Sequence, residues 1–497
     1  MMHDDEKSDG PIVPANHRNN TPQGEADGGE ARSPAKGNPS QQNTHRTQSR
    51  ASVHSALARI RQVAIRDKDA QFTALMHHIT VDRLMVAYKG INPKAAPGVD
   101  DVTWSWYGQD LETHLQDLHS RLHRGAYRAK PSRRVYIPKA DGRQRPLGIA
   151  SLEDKIVQAA VVQVMNAIYE TDFLGFSYGF RPKRSAHDAL DALATGIRRK
   201  KVNWVLDADI RGFFDAINRE WLLEFIKHRI GDSRILRLIQ KCLAAGVLED
   251  GKWARSKSGT PQGATISPLL GNIYLHYAFD LWAHQWRQRK ARGDVIIVRY
   301  ADDFAMGFEC QEDAEEFLAD LRERFRKFDL ELHADKTRLI EFGRHAVRNR
   351  KRRDLGKPES FKFLGFVHIC SQSRNGWFLL KRLTDAKRMN AKLKQLKSTL
   401  LRMRHVSIPV QGAWLQRVIR GYYNYYAVPT NIMALDRFRT ELARHWLRAL
   451  RRRSQKSRLN WKRMARLVER WFPHPRNLHP LPEQRFDVRT RGRSPVR

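Results

Sequence analysis

Two adjacent acids, Asp302 and Asp303, stand inside an apolar run, Val295-Ile296-Ile297-Val298-Arg299-Tyr300-Ala301-Asp302-Asp303-Phe304-Ala305-Met306-Gly307-Phe308. β-branched residues lead in and apolar residues lead out, the pattern of a tight hairpin with the acids at its tip. Neighbouring carboxylates repel, and burying them is costly. A divalent cation would relieve that cost. Equally, Asp302 could serve the turn while Asp303 points to water. A third acid, Asp209, ends the strand-like run Trp204-Val205-Leu206-Asp207-Ala208-Asp209, where a strand-end carboxylate could meet the other two. Asp215 and Asp207 read instead as a helix-start acid and a hydrogen-bonded strand residue.

Two further stretches could hold a substrate. Gly259-Thr260-Pro261-Gln262-Gly263 is a sharply bent loop before a helix, a backbone that a nucleotide could approach closely or simply a helix start. Arg133–Ile137 and Arg145–Ile149 flank an Asp141-Gly142 turn, a hairpin signal. Lys139, Arg143 and Arg145 at its tip could grip a triphosphate, or be a solvated charged turn.

The elements that must position these groups are legible in outline. Leu111, Leu115, Leu118 and Leu122 recur at helical spacing and Gly125 ends that helix. Helical spacing returns over Ile156–Tyr169 and from Ser185. Phe317, Leu321, Phe325 and Phe328 mark one helix face, followed by a strand and turn over Leu330–Thr337. Residues 343–356 read as an arginine-rich loop, and Phe361–Phe366 as strand. From 381 to 470 the stretch carries 24 Lys and Arg against 4 Asp and Glu. There Leu435, Phe438, Leu442, Trp446 and Leu450 form a helical stripe. Arg439, Arg444, Arg448, Arg451, Arg452 and Arg453 lie outside or beside it, and are candidates for phosphate contact. Tyr422, Tyr423, Tyr425 and Tyr426 read as core or as a base-stacking platform. The last 25 residues are Pro- and Arg-rich and are expected to be extended.

Composition narrows the function classes. A formal net charge of +37 over 497 residues would repel itself in a compact fold, so a polyanionic partner is expected. No apolar stretch is long enough to span a bilayer, there is no secretory signal, and no membrane partner is expected. Cys242, Cys310 and Cys370 lie far apart with no C-x-x-C pair, which suits a reducing cytosol. Residues 1–50 have no Leu, Phe, Trp or Tyr, and their seven acids and six bases nearly cancel. A segment so poor in apolar surface reads as disordered.

Taken in order, Asp209 with Phe213-Phe214, then Thr260-Pro261-Gln262-Gly263, Tyr300-Ala301-Asp302-Asp303 and Lys336 resemble the successive blocks of a reverse transcriptase, over roughly 95–370. Arg420-Gly421-Tyr422-Tyr423-Asn424-Tyr425-Tyr426 and the basic region around it resemble the maturase, or thumb, of bacterial group II intron-encoded proteins. The resemblance implies an α+β right-hand polymerase, fingers and palm, followed by an α-helical thumb/maturase domain. Its divisions would be a disordered tail at 1–55, a fingers extension at 56–130, fingers and palm at 131–370, the helical domain at 381–470 and a basic tail at 471–497. It implies an RNA-directed DNA polymerase that copies intron RNA by two-metal transfer and assists splicing and mobility. Two Mg²⁺ ions would be held by Asp209, Asp302 and Asp303 with the Ile210 carbonyl, Asp302 being the firmer ligand of the adjacent pair. Lys139, Arg145 and Gln262 would contact the nucleotide, and Phe214 would pack under its sugar. Lys336 would protonate departing pyrophosphate, Phe363-Leu364-Gly365 would form the primer grip, and Tyr300 would lie near the primer end.

Two departures stand out. Pro97-Gly98-Val99-Asp100-Asp101 has Asp101 where the family's turn has a second glycine, so altered turn chemistry is expected. The chain ends at Arg497 without cysteine pairs, so no H-N-H endonuclease domain is expected and entry into target DNA would use a DNA primer made elsewhere. The expected partners are group II intron RNA, target DNA, primer and dNTPs, in a bacterial cytoplasm with nucleoid association during mobility. Two alternatives share these features: a splicing-only RNA-binding maturase, and a domesticated or defence-associated reverse transcriptase. Primer extension on RNA separates the first, and an intron surrounding the reading frame the second.

Overall fold

The computed structural model describes residues 56–138, 144–249, 252–254, 259–260 and 263–490. The expected disordered tail and the extreme C-terminus therefore lie outside the described residues. At the centre is a four-stranded antiparallel sheet, in the order Val295–Tyr300, Asp303–Phe308, Trp204–Asp209, Arg338–Glu341. Both of its faces are buried. Ile297, Phe304, Met306 and Phe308 point into one core with Phe317, Leu321 and Phe325 of the helix Gln311–Lys327. Ile296, Val298 and Ala305 point into a second core with Leu190, Leu193 and Ile197 of the helix Ala186–Arg199. Two covered faces explain why the paired strands Val295–Tyr300 and Asp303–Phe308 are largely apolar along their length and do not alternate. Ser185 and Asp188 close a capping box at the start of the second helix, which fixes where it begins.

The expected basic hairpin is present. Ser132–Pro138 pairs antiparallel with Gln144–Ile149, and Val247–Glu249 and Lys252–Ala254 extend that sheet. A third sheet, Phe361–Phe363, Phe366–Gln372 and Phe378–Thr384, leads into four helices, Ala386–Arg402, Ile408–Tyr426, Ile432–Arg451 and Trp461–Trp471. The last strand runs to Thr384, so the helical region opens at Ala386, slightly later than expected. Its own core holds Leu435, Phe438, Leu442, Trp446 and Leu450, the stripe read from the sequence. Tyr422 and Tyr423 belong to that core, with Tyr422 stacked on Phe438 at 3.8 Å, so the core reading of the tyrosines holds for these two.

Three local expectations need correction. Residues 343–356 include a helix, Ala346–Arg352, where a loop was expected. Of the strand and turn expected over Leu330–Thr337, the turn is present, but the strand is reduced to Leu332, which makes a single β-bridge to Ile210. The C-terminal stretch is not simply extended. It forms a helix, Pro482–Thr490, that returns to the central domain and seats Phe486 in the second core. Apolar contact through Phe486 and ion pairs from Glu483, Arg485 and Asp487 offset the coil tendency of its Pro- and Arg-rich surroundings.

Candidate active site

Register brings the acids together. Asp209 is paired directly with Asp303 on adjacent antiparallel strands, and Tyr300 is paired with Asp303 across the hairpin. Ala301 and Asp302 make the connection, with Ala301 in the left-handed region at φ 58°. The three carboxylates thus share one end of one sheet. Burial, then the charges of Asp302 and Asp209, push Asp303 up to about 6, although its side chain opens to solvent. Burial, and then Asp209, hold Asp302 above the usual carboxylate range, while Arg145 pulls it the other way. These are the electrostatics of acids short of a counter-charge.

Part of that counter-charge is already supplied. Lys336 donates to the Asp209 carboxylate. The neighbouring backbone holds Lys336 there: His333 N donates to Asp209 O at 2.8 Å and Arg211 N to Glu331 O at 2.8 Å, straddling Ile210. Among the described residues no three His, Cys, Asp or Glu side chains are grouped tightly enough to hold a metal as they stand. The donor set nevertheless suits a hard divalent cation, which prefers carboxylate and carbonyl oxygens. Asp207, two residues earlier, accepts from Arg338 at 3.4 Å, the hydrogen-bonded strand residue expected, and its charge adds to that of the other acids on Asp303.

Of the expected nucleotide contacts, Lys139 and Gln262 lie outside the described residues. Arg145 is exposed on the hairpin strand. Gly263, next to Gln262, has φ 103°, and a Cβ there would lie 2.7 Å from Gly148 O. The bent loop therefore abuts the strand that carries Arg145. Phe214 is half-buried, edge-on to Phe213 at 5.2 Å. Its carbonyl accepts from Thr260 N at 2.8 Å, so the same loop is also tied to Phe214. Leu364 and Gly365 are consecutive left-handed residues between two strands, and Tyr425 Oη donates to Leu364 O at 2.7 Å.

Sequence reasoning missed two groups. Arg388, in the first thumb helix, lowers the pKa of Asp303 by its charge, and no local pattern tied it to the acids. Arg299 is entirely buried behind the acidic turn and paired with Asp280. Its signal was present, a lone charge within an apolar strand. The six thumb arginines divide. Arg439 reaches Phe472 O and Glu469, Arg451 donates to Leu459 O and Arg453 to Val406 O, so these three also brace the helical domain. Arg444, Arg448 and Arg452 are exposed, Arg444 also pairing with Glu441.

Residues 137–368 match the family model described as reverse transcriptase (RNA-dependent DNA polymerase). Protein YkfC of Escherichia coli is 34% identical over 314 residues, 54% of this chain and 80% of its own length. The group II intron-encoded protein LtrA of Lactococcus lactis is 37% identical over 228 residues, 44% of this chain and 37% of LtrA. An uncharacterized 91 kDa protein in the cob intron of Schizosaccharomyces pombe is 44% identical over 146 residues, 29% of this chain and 18% of its own. The chain thus spans little more than a third of LtrA and most of YkfC. With three acids at one end of a sheet inside the matched region, the chain belongs to the group II intron-encoded reverse transcriptases and maturases, RNA-directed DNA polymerases.

Proposed function

We propose that this chain copies its own group II intron RNA into DNA from a DNA primer at the target, and helps that RNA to splice. Asp209, Asp302 and Asp303, with the Ile210 carbonyl, would hold two Mg²⁺ ions. The observation that carries this reading is the register that sets Asp209 against Asp303 with Asp302 in the adjoining turn. When bound, such ions stabilise the attacking and leaving oxygens of an in-line displacement. The protein's own groups do the rest. Arg145, with Lys139 and Gln262, holds the triphosphate in line, and Phe214 packs under the sugar. Lys336, exchanged from Asp209 to the departing pyrophosphate, donates a proton there. Tyr300 borders the primer end, and the turn at Leu364 and Gly365 grips the primer strand. Arg444, Arg448 and Arg452 face RNA phosphates, while Arg439, Arg451 and Arg453 also brace the helical domain.

Primer extension with dNTPs on an RNA template tests this. The native chain should extend, and Asp302→Asn should lose about 10³-fold in rate, in line with removing one transition-state-stabilising group. A native chain that extends no primer but still promotes splicing of its transcript is a splicing-only maturase, and the polymerase reading fails.

A further inference from the structure

Arg299 lies in the strand Val295–Tyr300 and has no exposed surface. A buried guanidinium is tolerated only when every donor is met, and here all five N–H groups are. Nε donates to Asp280 Oδ1 at 2.7 Å, and Nη2 to Asp280 Oδ2 at 2.5 Å and Ser177 Oγ at 2.7 Å. Nη1 donates to Asn272 Oδ1 and to the Ala301 carbonyl, each at 3.0 Å. The last bond reaches the turn itself. Ala301 is a non-glycine residue at φ 58°, a conformation that L residues seldom adopt, and the chain reverses there into Asp302.

A second wall closes on the same residue. A Cβ at Gly179 would lie 2.3 Å from Ala301 N and 2.8 Å from Tyr300 C. Gly179 O accepts from Asn272 Nδ2 at 2.8 Å, so the wall and the guanidinium share one anchor. Asp280 closes a five-residue π-helical turn, His276–Asp280, directly after the helix Ser267–Leu275 that carries Asn272. Such widened turns recur at functional sites. Here one brings Asp280 to the guanidinium that Asn272 also contacts. Apolar residues of similar volume could fill this space without loss of stability, but they could not hold the Ala301 carbonyl.

We infer that Arg299, locked by Asp280, Asn272 and Ser177, is a positioning residue that fixes the Ala301 turn and so aims Asp302 at the metal site. This rests on the reading of Asp302 as a metal ligand. Arg299→Lys keeps the charge beside Asp280 but loses the planar fork. It should lower kcat about 100-fold, because small misplacements of a reacting group are that costly. KM for dNTP and RNA affinity should stay within about threefold. Mn²⁺ half-saturation, read by EPR on the protein–template–primer complex, should weaken about tenfold, as for loss of a ligand's support. The double variant Arg299→Met with Asp280→Leu removes the pair without stranding a charge, and should lose activity at an unchanged Tm. If the double variant does not fold, Arg299→Lys decides alone. Native kcat and Mn²⁺ affinity in a folded variant overturn the inference. So does a loss of activity that merely tracks a fall in Tm with Mn²⁺ affinity intact. Asp302→Asn is measured in parallel, and activity in that variant overturns the reading of the acids and not the role of Arg299 alone.

Discussion

Asp303 bears the electrostatic strain of the site, and its titration makes that strain measurable. Burial and the neighbouring acids push its carboxyl up to about 6 in the fold, from 3.8 for the unperturbed group. The folded state therefore holds a proton that the unfolded chain releases between those values. The contribution of this one group to stability is fully present below pH 4 and is lost as pH rises through 6. Asp303→Asn removes the charge and should raise Tm at pH 7 to 8, with no advantage near pH 4. Its open position screens the charge, so a gain of about 1 kcal/mol is expected, less than the full shift would imply. Thermal melts of both proteins across pH 4–8 check this, and an equal Tm at pH 8 refutes it. The acids themselves were legible because adjacency and a strand-ending aspartate are local properties of the sequence. Arg299 stood out only as a lone charge in an apolar strand; its role was not legible, since that depends on Asp280 and on a π-helical turn that no spacing rule reveals. Asp101 falls between the two cases. It stands at φ 52° where a glycine was expected, a left-handed conformation that glycine adopts without strain, and Arg133 pairs with its carboxylate at 3.1 Å.

At the scale of elements, a sheet covered on both faces depends on what covers it. The helix Ala186–Arg199 packs on one face, and the C-terminal helix Pro482–Thr490 packs on that helix in turn. Arg199 and Asp487 make a two-pronged ion pair at 2.7 and 2.6 Å, and Arg485 reaches Asp191 at 3.2 Å. Asp191 also pairs with Arg382 of the third sheet at 2.8 Å, both side chains being almost wholly buried. One acid thus ties together the central domain, the strand leading to the thumb and the chain's last helix. Sequence periodicity could find the long helices, whose stripes repeat over several turns. It could not find this one, whose apolar contact with the core rests on a single aromatic residue, Phe486, beside ion pairs that span distant positions. Phe486→Ala should release it. The full cost of such a truncation in a core is about 3–5 kcal/mol, but undocking a terminal helix caps the loss below that. Hydrogen exchange should therefore rise in 478–490 while the strands Trp204–Asp209 and Asp303–Phe308 stay protected. Equal protection of 478–490 in the variant would show that the ion pairs, and not Phe486, hold the helix.

For the whole molecule, a net charge of +37 sets the terms of its encounter with RNA. The charge is not spread evenly, because 381–470 alone contributes an excess of 20. Not all of that excess is available to a ligand. Arg382 is buried against Asp191, while Arg439, Arg451 and Arg453 spend donors on carbonyls of their own domain. Arg444, Arg448 and Arg452 project from one helix and its end into solvent, which makes them the sharpest test of where RNA runs. Each phosphate neutralised on single-stranded RNA contributes about 0.7 to the slope of log affinity against log salt. Replacing all three with alanine should therefore flatten that slope by about 2. It should weaken binding uniformly across RNA sequences and leave extension at saturating template and primer unchanged. Filter binding between low and moderate salt gives the slope directly. If the slope stays at its native value, the RNA path lies elsewhere, and the arginine-rich helix Ala346–Arg352 becomes the surface to mutate next.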